Sequence, residues 1–133
     1  MIFVDSGALI GRYLANDPYH SVAVRAWREV EGSQLLTTNH VLDEVVTLLA
    51  RRAGYPFAAE RAERIYFSSA FEIVCSSLED EHEAVRYFRK FSDQRVSFTD
   101  CISFAVMKYH RLNTAFTFDR HFLNAGFRVI GLT

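Results

Sequence analysis

Short segments with the composition of β-strands alternate with longer segments of helical periodicity along the chain. Residues 2–4 are Ile, Phe and Val, so the first of these short segments is apolar at every position. A strand with no polar face is typical of a parallel sheet that is covered by helices on both sides. The alternation therefore predicts an α/β fold, a three-layer α/β/α sandwich with a mainly parallel central sheet of four to five strands.

The predicted elements follow from the positions of apolar residues, Gly, Pro and capping residues. Strands are predicted over residues 2–4, 35–38, 71–75, 114–118 and 128–130. Helices are predicted over residues 8–14, 19–30, 40–53, 55–67, 78–91 and 99–110, with a short helical turn at 122–123. Asn39 is predicted to cap the third helix, and Ser77 with Asp80 resembles a capping box at the start of the fifth. In that fifth helix the residues predicted to face the core are Ala84, Val85, Phe88 and Phe91.

The helix predicted over residues 99–110 has apolar residues around most of its circumference. Such a helix belongs inside a domain. Thr99 is the predicted N-cap residue. Asp100 then lies in the first turn, where the positive end of the helix dipole favours a carboxylate. Asp100 is therefore either a capping acid or a charge placed at the edge of the core for chemistry.

Length and composition restrict the class of protein. The 133 residues fit one domain, residues 1–133, and half of them are hydrophobic, which is enough for a continuous core. The net charge of −1 gives no overall attraction to nucleic acid or to a membrane surface. Cys75 and Cys101 lack metal-ligand spacing and are predicted to be core residues of a cytoplasmic protein. The N-terminus does not resemble a signal peptide, and no apolar run is long enough to span a membrane.

Four acidic residues are predicted to reach one edge of the sheet. Asp5 follows the first strand and Asp119 follows the fourth, while Glu44 and Asp100 lie near the starts of helices. Because ligands of open parallel sheets bind at the carboxyl ends of the strands, we expect these carboxylates to share a site. Each acid also has a local explanation: Asp5 as a cap, Glu44 as a solvated helix residue and Asp119 as a turn residue.

Clustered carboxylates repel one another unless a cation compensates for their charge. Oxygen ligands suit Mg²⁺ or Mn²⁺, and such ions promote displacement at phosphorus. The hydroxyl groups of Ser6 and Thr99 flank two of the acids and are predicted to orient a carboxylate or a water molecule. Four histidines receive no role, because no Cys or His lies at ligand spacing from them: His40, His82, His110 and His121.

Four segments of the chain together resemble the PIN-domain ribonucleases, and in particular the VapC toxins of bacterial and archaeal toxin–antitoxin pairs. The segments are residues 2–9, 37–44, 96–100 and 117–122, which contain the four acids in order. The resemblance implies that Asp5, Glu44, Asp100 and Asp119 bind a divalent metal ion. It also implies an endoribonuclease that cleaves single-stranded or loop RNA, forms a homodimer and is inhibited by an antitoxin segment inserted into the active-site groove.

Arginines are the expected RNA contacts, because the guanidinium fork binds phosphate. Thirteen of the 15 basic residues are Arg. Arg12, Arg95 and Arg120 are the candidates nearest in sequence to the predicted site. The expected dimer surface lies on the helices before and after Gly54.

Other protein classes with acids at strand ends fit less well. A response-regulator receiver domain needs an acidic pair after the first strand, and here Ser6 follows Asp5. A haloacid-type phosphatase needs Asp-x-Asp, and position 7 is Gly. The alternative that the sequence leaves open is a PIN-like module that binds RNA or protein without cleaving it.

Overall fold

Residues 1–132 are described by a computed structural model, in which five parallel strands form one sheet. The strands are β1 (Ile2–Val4), β2 (Leu35–Thr38), β3 (Phe71–Val74), β4 (Thr114–Phe116) and β5 (Arg128–Ile130). Their order is β3-β2-β1-β4-β5, and every pair of neighbours is parallel. All five predicted strands are confirmed, with β3 and β4 shorter at their carboxyl ends than predicted.

Seven helices cover the two faces of the sheet. They are α1 (Ser6–Tyr13), α2 (His20–Glu29), α3 (Asn39–Ala53), α4 (Tyr55–Tyr66), α5 (Leu78–Lys90), α6 (Phe98–Tyr109) and α7 (His121–Asn124), with a 3₁₀ turn at Ser92–Gln94. Helices α1 to α4 pack against one another in one layer, and α5 to α7 in the other. The predicted three-layer α/β/α sandwich is confirmed. No helix within residues 1–132 is long and apolar enough to cross a membrane.

The direction of winding reverses between β1 and β4. From β1 the chain moves outward through β2 to β3, then returns to place β4 on the other side of β1. At such a reversal the connections leave the sheet toward opposite faces and open a crevice at the carboxyl ends of the strands. The topology therefore places a cleft where β1 and β4 end.

Two predicted helix caps are wrong by one or two residues. The N-cap of α6 is Ser97, whose hydroxyl oxygen accepts a hydrogen bond from the Asp100 N–H at 3.0 Å. Thr99 lies inside the first turn. The N-cap of α3 is Thr38, which accepts from the Val41 N–H at 3.1 Å. In both helices a hydroxyl earlier in the sequence than predicted accepts from the N–H group three residues on. The predicted capping box of Ser77 with Asp80 is confirmed.

Helix α6 is the centre of the second helical layer. Every residue from 100 to 107 is buried, as predicted for a helix that is apolar on nearly all sides. The Phe104 ring is fully buried and meets four other aromatic rings at centroid distances of 4.9 to 6.1 Å: Tyr87, Phe91, Phe122 and Phe127. This aromatic cluster holds α5, α6 and α7 together.

Three residues that were predicted to be in the core are exposed. Val85 and Phe88 are 47% and 46% exposed, because α5 turns Ala84, Tyr87 and Phe91 toward the core instead. Residues 84, 87 and 91 follow the same helical spacing as 84, 88 and 91, so periodicity allowed either stripe. Cys75 is exposed because it follows β3, the edge strand that pairs with β2 alone, whereas Cys101 is buried as predicted.

Phe104 and Phe88 should therefore respond very differently to truncation. We expect Phe104→Ala to lower the free energy of unfolding by roughly 3–5 kcal/mol, since it leaves a cavity among four rings. Phe88→Ala removes the same side chain from a half-exposed site and should cost less than about 1.5 kcal/mol. Urea unfolding of both variants measures the difference. Equal losses would contradict the orientation of α5.

Candidate active site

The four acids that the sequence analysis selected line a single cleft at the carboxyl ends of β1 and β4. The cleft has a volume of about 420 Å³. Asp5 enters it from the end of β1, and Asp119 enters it from the turn after β4. Asp100 comes from the first turn of α6, and Glu44 from the second turn of α3 on the opposite face of the sheet. The structure thus brings together residues from four separate parts of the chain.

Asp5 is almost completely buried. The Thr117 hydroxyl donates a hydrogen bond to Asp5 Oδ2 at 2.7 Å, and the Asp5 N–H donates to the Phe116 carbonyl at 3.0 Å. Burial raises the pKa of Asp5 to about 6, although the hydrogen bonds from Thr117 and from the Ser6 N–H act in the opposite direction. The carboxylate is therefore fixed in position but only partly stabilised in its charged form.

The pKa of Asp100 is raised further than that of Asp5. Burial at the start of α6, followed by the charges of Asp5 and Asp119, raises the pKa of Asp100 to about 8. A contact with the Asp119 carboxyl group favours the protonated form as well, while Ser97 opposes it. Burial and the neighbouring carboxylates therefore favour the protonated form of Asp100 when no cation is bound.

His121 joins this group, although the sequence analysis gave it no role. Its Nε2 lies 2.7 Å from the Gln94 carbonyl oxygen, which can only accept, so Nε2 carries a proton. Nδ1 lies 2.8 Å from Asp119 Oδ1 and 3.9 Å from Asp100 Oδ2, yet it makes no well-directed hydrogen bond within the described residues. A buried Nδ1 that faces two carboxylates requires a proton or a cation between them.

The turn that carries Asp119 also explains why sequence spacing missed His121. The Thr117 hydroxyl accepts a hydrogen bond from the Asp119 N–H at 3.0 Å, and Asp119 Oδ1 accepts from the His121 N–H at 2.8 Å. This local turn folds the His121 side chain back toward the acids. The signal in the sequence was an Asp with a His two residues later, just before a short helix, which is weak without the fold.

Glu44 lines the cleft from a position that is more exposed to solvent than those of the other acids. It is exposed along the side of α3, and its pKa is raised by partial burial against the cleft and by the charge of Asp5. The charge of Asp5 therefore acts on Glu44 as it acts on Asp100, but Glu44 remains accessible to solvent.

The remaining candidates fall into two groups. Of the two hydroxyl residues selected from the sequence, Ser6 lines the cleft and Thr99 does not. The hydroxyl that binds Asp5 belongs to Thr117. The three arginines selected from the sequence, Arg12, Arg95 and Arg120, do not line the cleft. The Arg12 guanidinium lies 4.5 Å from the Trp27 ring in a separate pocket, and Arg95 lines a third pocket beside Phe88.

The cleft gathers more negative charge than its lining compensates. Among the described lining residues the single arginine is Arg52, and its Nη1 pairs with Asp17 at 2.9 Å. Ligand atoms of Asp100, Asp119 and His121 lie within 4.8 Å of one another, close enough to hold one cation. Carboxylate oxygens are the donors that Mg²⁺ and Mn²⁺ prefer, so the residues present fit a hard divalent cation.

The raised pKa values predict how stability depends on pH when a chelator is present. Asp5 and Asp100 bind protons more tightly in the folded protein than in the unfolded chain, so these two groups stabilise the fold most at low pH. Their contribution is lost as pH rises through about 6 and then about 8. We expect the free energy of unfolding to fall between pH 5.5 and 8.5, as measured by urea titration. Asp100→Asn should remove the upper part of that decline; an unchanged slope would show that Asp100 titrates normally.

Comparison with known proteins agrees with this architecture. Residues 2–128 match the PIN domain family. The chain is 35% identical over 127 residues to the 23S rRNA-specific endonuclease VapC20 of Mycobacterium tuberculosis, covering 96% of this chain and 95% of the relative. It is 28% identical over 125 residues to the ribonuclease VapC26 of the same species, covering 93% of this chain and 90% of that one.

A solved structure leads to the same family. The crystal structure of M. tuberculosis VapC20, described as a sarcin–ricin loop cleaving toxin, superimposes with a TM-score of 0.88 at 33% identity and covers 96% of both chains. DNA-bound VapBC from Salmonella typhimurium shares the fold at a TM-score of 0.70 and 12% identity, over 97% of both chains. By its fold, its sequence and the acids gathered at the reversal of its sheet, this chain belongs to the PIN-domain family, among the ribonucleases of the VapC type.

Proposed function

We propose that the protein is a metal-dependent endoribonuclease that cleaves single-stranded or loop RNA, and that it is the toxin of a VapBC-type toxin–antitoxin pair. The observation that carries the proposal is the cleft in which Asp5, Glu44, Asp100 and Asp119 meet without compensating positive charge. The similarity to VapC20, named as a 23S rRNA-specific endonuclease, supports RNA as the substrate.

Asp5, Glu44, Asp100 and Asp119 would hold Mg²⁺ or Mn²⁺, with His121 beside Asp100 and Asp119. The ion would neutralise charge on the phosphodiester and acidify the attacking water. Thr117 fixes Asp5 through Oδ2. Burial favours the protonated form of Asp100, so a cation would compete with that proton and would bind better at higher pH. Glu44, on the solvent-accessible wall, would accept a proton close to the reacting phosphate.

The proposal includes two protein partners, an antitoxin and a second copy of this chain. It also places the protein in the cytoplasm. An antitoxin segment that inserts into the cleft would block access to the four acids; an Arg or Lys side chain in it would supply the positive charge that the cleft lacks. A second copy of the chain would pack against α3 and α4, the helices before and after Gly54. Tyr55, at the start of this helix, and Phe67, just after its end, are 80% and 87% exposed.

The central prediction concerns Asp100→Asn. Asparagine keeps the shape of the side chain and cannot take on the charge that the other acids disfavour, so the ion-free protein should be as stable as the wild type, and more stable at a pH where Asp100 ionises. RNA binding should persist, since phosphate contacts do not use this acid. Turnover on a sarcin–ricin loop hairpin or a generic single-stranded RNA should fall more than about a hundredfold, the cost of losing ~3 kcal/mol of transition-state stabilisation.

Asp43→Asn is the matched control, because Asp43 is an exposed acid next to Glu44 that does not line the cleft. It should cleave RNA like the wild type. Millimolar Mn²⁺ should raise the melting temperature of the wild type and of Asp43→Asn, and raise that of Asp100→Asn less, because an ion that binds the folded cluster stabilises it by mass action. An Asp100→Asn protein that cleaves normally refutes the proposal. RNA binding by the wild type without any metal-dependent cleavage would instead identify a binding module.

The proposed dimer interface leads to a second prediction. In sedimentation at tens of micromolar the wild type should be dimeric, and the double variant Tyr55→Ser, Phe67→Ser should shift toward monomer, since it removes two exposed aromatic groups from the expected interface. Leu78→Ser, at the 69% exposed start of α5, is the control and should leave the dimer intact. A monomeric wild type would exclude this surface as an interface.

A further inference from the structure

An exposed aromatic ring lies on the rim of the acidic cleft and has no role in the proposed chemistry. The Tyr19 ring is stacked on the Phe118 ring, with centroids 4.7 Å apart and planes within 8° of parallel. Both residues line the cleft. Tyr19 is 48% exposed, so much of its surface is in contact with solvent. Phe118 stands between Thr117 and Asp119, and the stack is therefore joined directly to the segment that carries one of the acids.

Small residues fix the position of Phe118. A Cβ atom added at Gly7 or Gly11 would lie 3.5 or 3.4 Å from the Phe118 ring, and one added at Gly131 would lie 3.0 Å from it. Gly131 also has φ of +112°, a conformation that other residues rarely adopt. The ring thus occupies a slot made by three glycines, and its plane sets the plane of Tyr19.

Hydrogen bonds fix the backbone at Tyr19. Its N–H donates to Asp17 Oδ2 at 3.0 Å, and the other oxygen of Asp17 pairs with Arg52 Nη1 at 2.9 Å. His20 Nδ1 lies 2.8 Å from the Gly11 carbonyl oxygen, which ties the start of α2 to α1. Arg52 is therefore a positioning residue for the loop, and the Tyr19 ring is presented in a fixed orientation at little entropic cost on binding.

We propose that Tyr19, backed by Phe118, is a stacking platform for an unpaired base of the RNA substrate, next to the phosphodiester that is cleaved. This inference rests on the proposed function. A flat ring that is held from behind and open to solvent matches the face of a nucleobase, and every base has such a face. Stacking also explains how a cleft rich in negative charge binds RNA, since the contact requires no cation.

The test measures binding of a fluorescent single-stranded RNA to the full chain in the Asp100→Asn background, where cleavage does not interfere. Tyr19→Ala should bind roughly five- to a hundredfold more weakly, the range for loss of one base–aromatic stack. Tyr19→Phe keeps the ring and should bind like its parent. Tyr109→Ala is the control, because Tyr109 is 74% exposed at the far end of α6 and does not line the cleft.

Abasic substitutions in the RNA separate stacking from a general effect on the loop. With Tyr19 present, removing one particular base should weaken binding by a similar factor. With Tyr19→Ala, removing that same base should cost nothing further. Melting temperatures close to that of the parent establish that the variants are folded, and the same Tyr19→Ala change in the active protein should raise KM more than it lowers kcat.

Two outcomes overturn the platform in different ways. If Tyr19→Ala binds RNA as its parent does, or loses as much affinity on the abasic RNA as on the intact one, Tyr19 is a packing residue of the α1–α2 region. If neither the wild type nor the Asp100→Asn parent binds RNA, the proposed function fails and the platform fails with it. The first result leaves metal-dependent cleavage by the wild type unaffected, so the two failures are distinguishable.

Discussion

The hydrogen bond from the Thr117 hydroxyl to Asp5 joins residues that are 112 positions apart in the sequence, and both residues are buried. It forms because the return of the chain places β4 beside β1, so that both strands end at the same crevice. The same hydroxyl oxygen accepts the N–H of Asp119. One buried side chain therefore sets the position of two acids, and without it a carboxylate would be left in the core with an unpaired oxygen.

The fold holds these acids in an arrangement that they do not favour by themselves. Burial and mutual repulsion raise the pKa of Asp5 and of Asp100, so a cleft free of cations resists being fully charged. The hydrophobic core offsets this cost, and it includes the buried residues of α6 and the aromatic cluster around Phe104. Perturbed pKa values of this kind are typical of functional sites.

The sequence predicted the three layers and the four acids that line one cleft, because the carboxyl ends of parallel strands lie at the same edge of a sheet regardless of the details of packing. It failed where two residues satisfied the same local rule: Ser97 and Thr99 both suit a helix cap, and Tyr87 and Phe88 both fit the buried stripe of α5. Thr117 and His121 escaped notice for another reason. Their roles depend on contacts across the sheet and on one local turn, and neither leaves a periodic signal.

The two sides of the cleft differ in how they are supported. Asp5, Asp100 and Asp119 are set by strand ends, by a buried helix and by the hydrogen bonds of Thr117 and Ser97, so changing their positions would disturb the core. Tyr19 immediately precedes α2 and Glu44 lies on α3, and both residues are exposed. Substitutions on that side cost little stability, because they bury no additional polar group and leave no cavity. Three of the four acids are thus fixed by the core, whereas Glu44 and Tyr19 stand on a side of the cleft where a substitution disturbs the packing less.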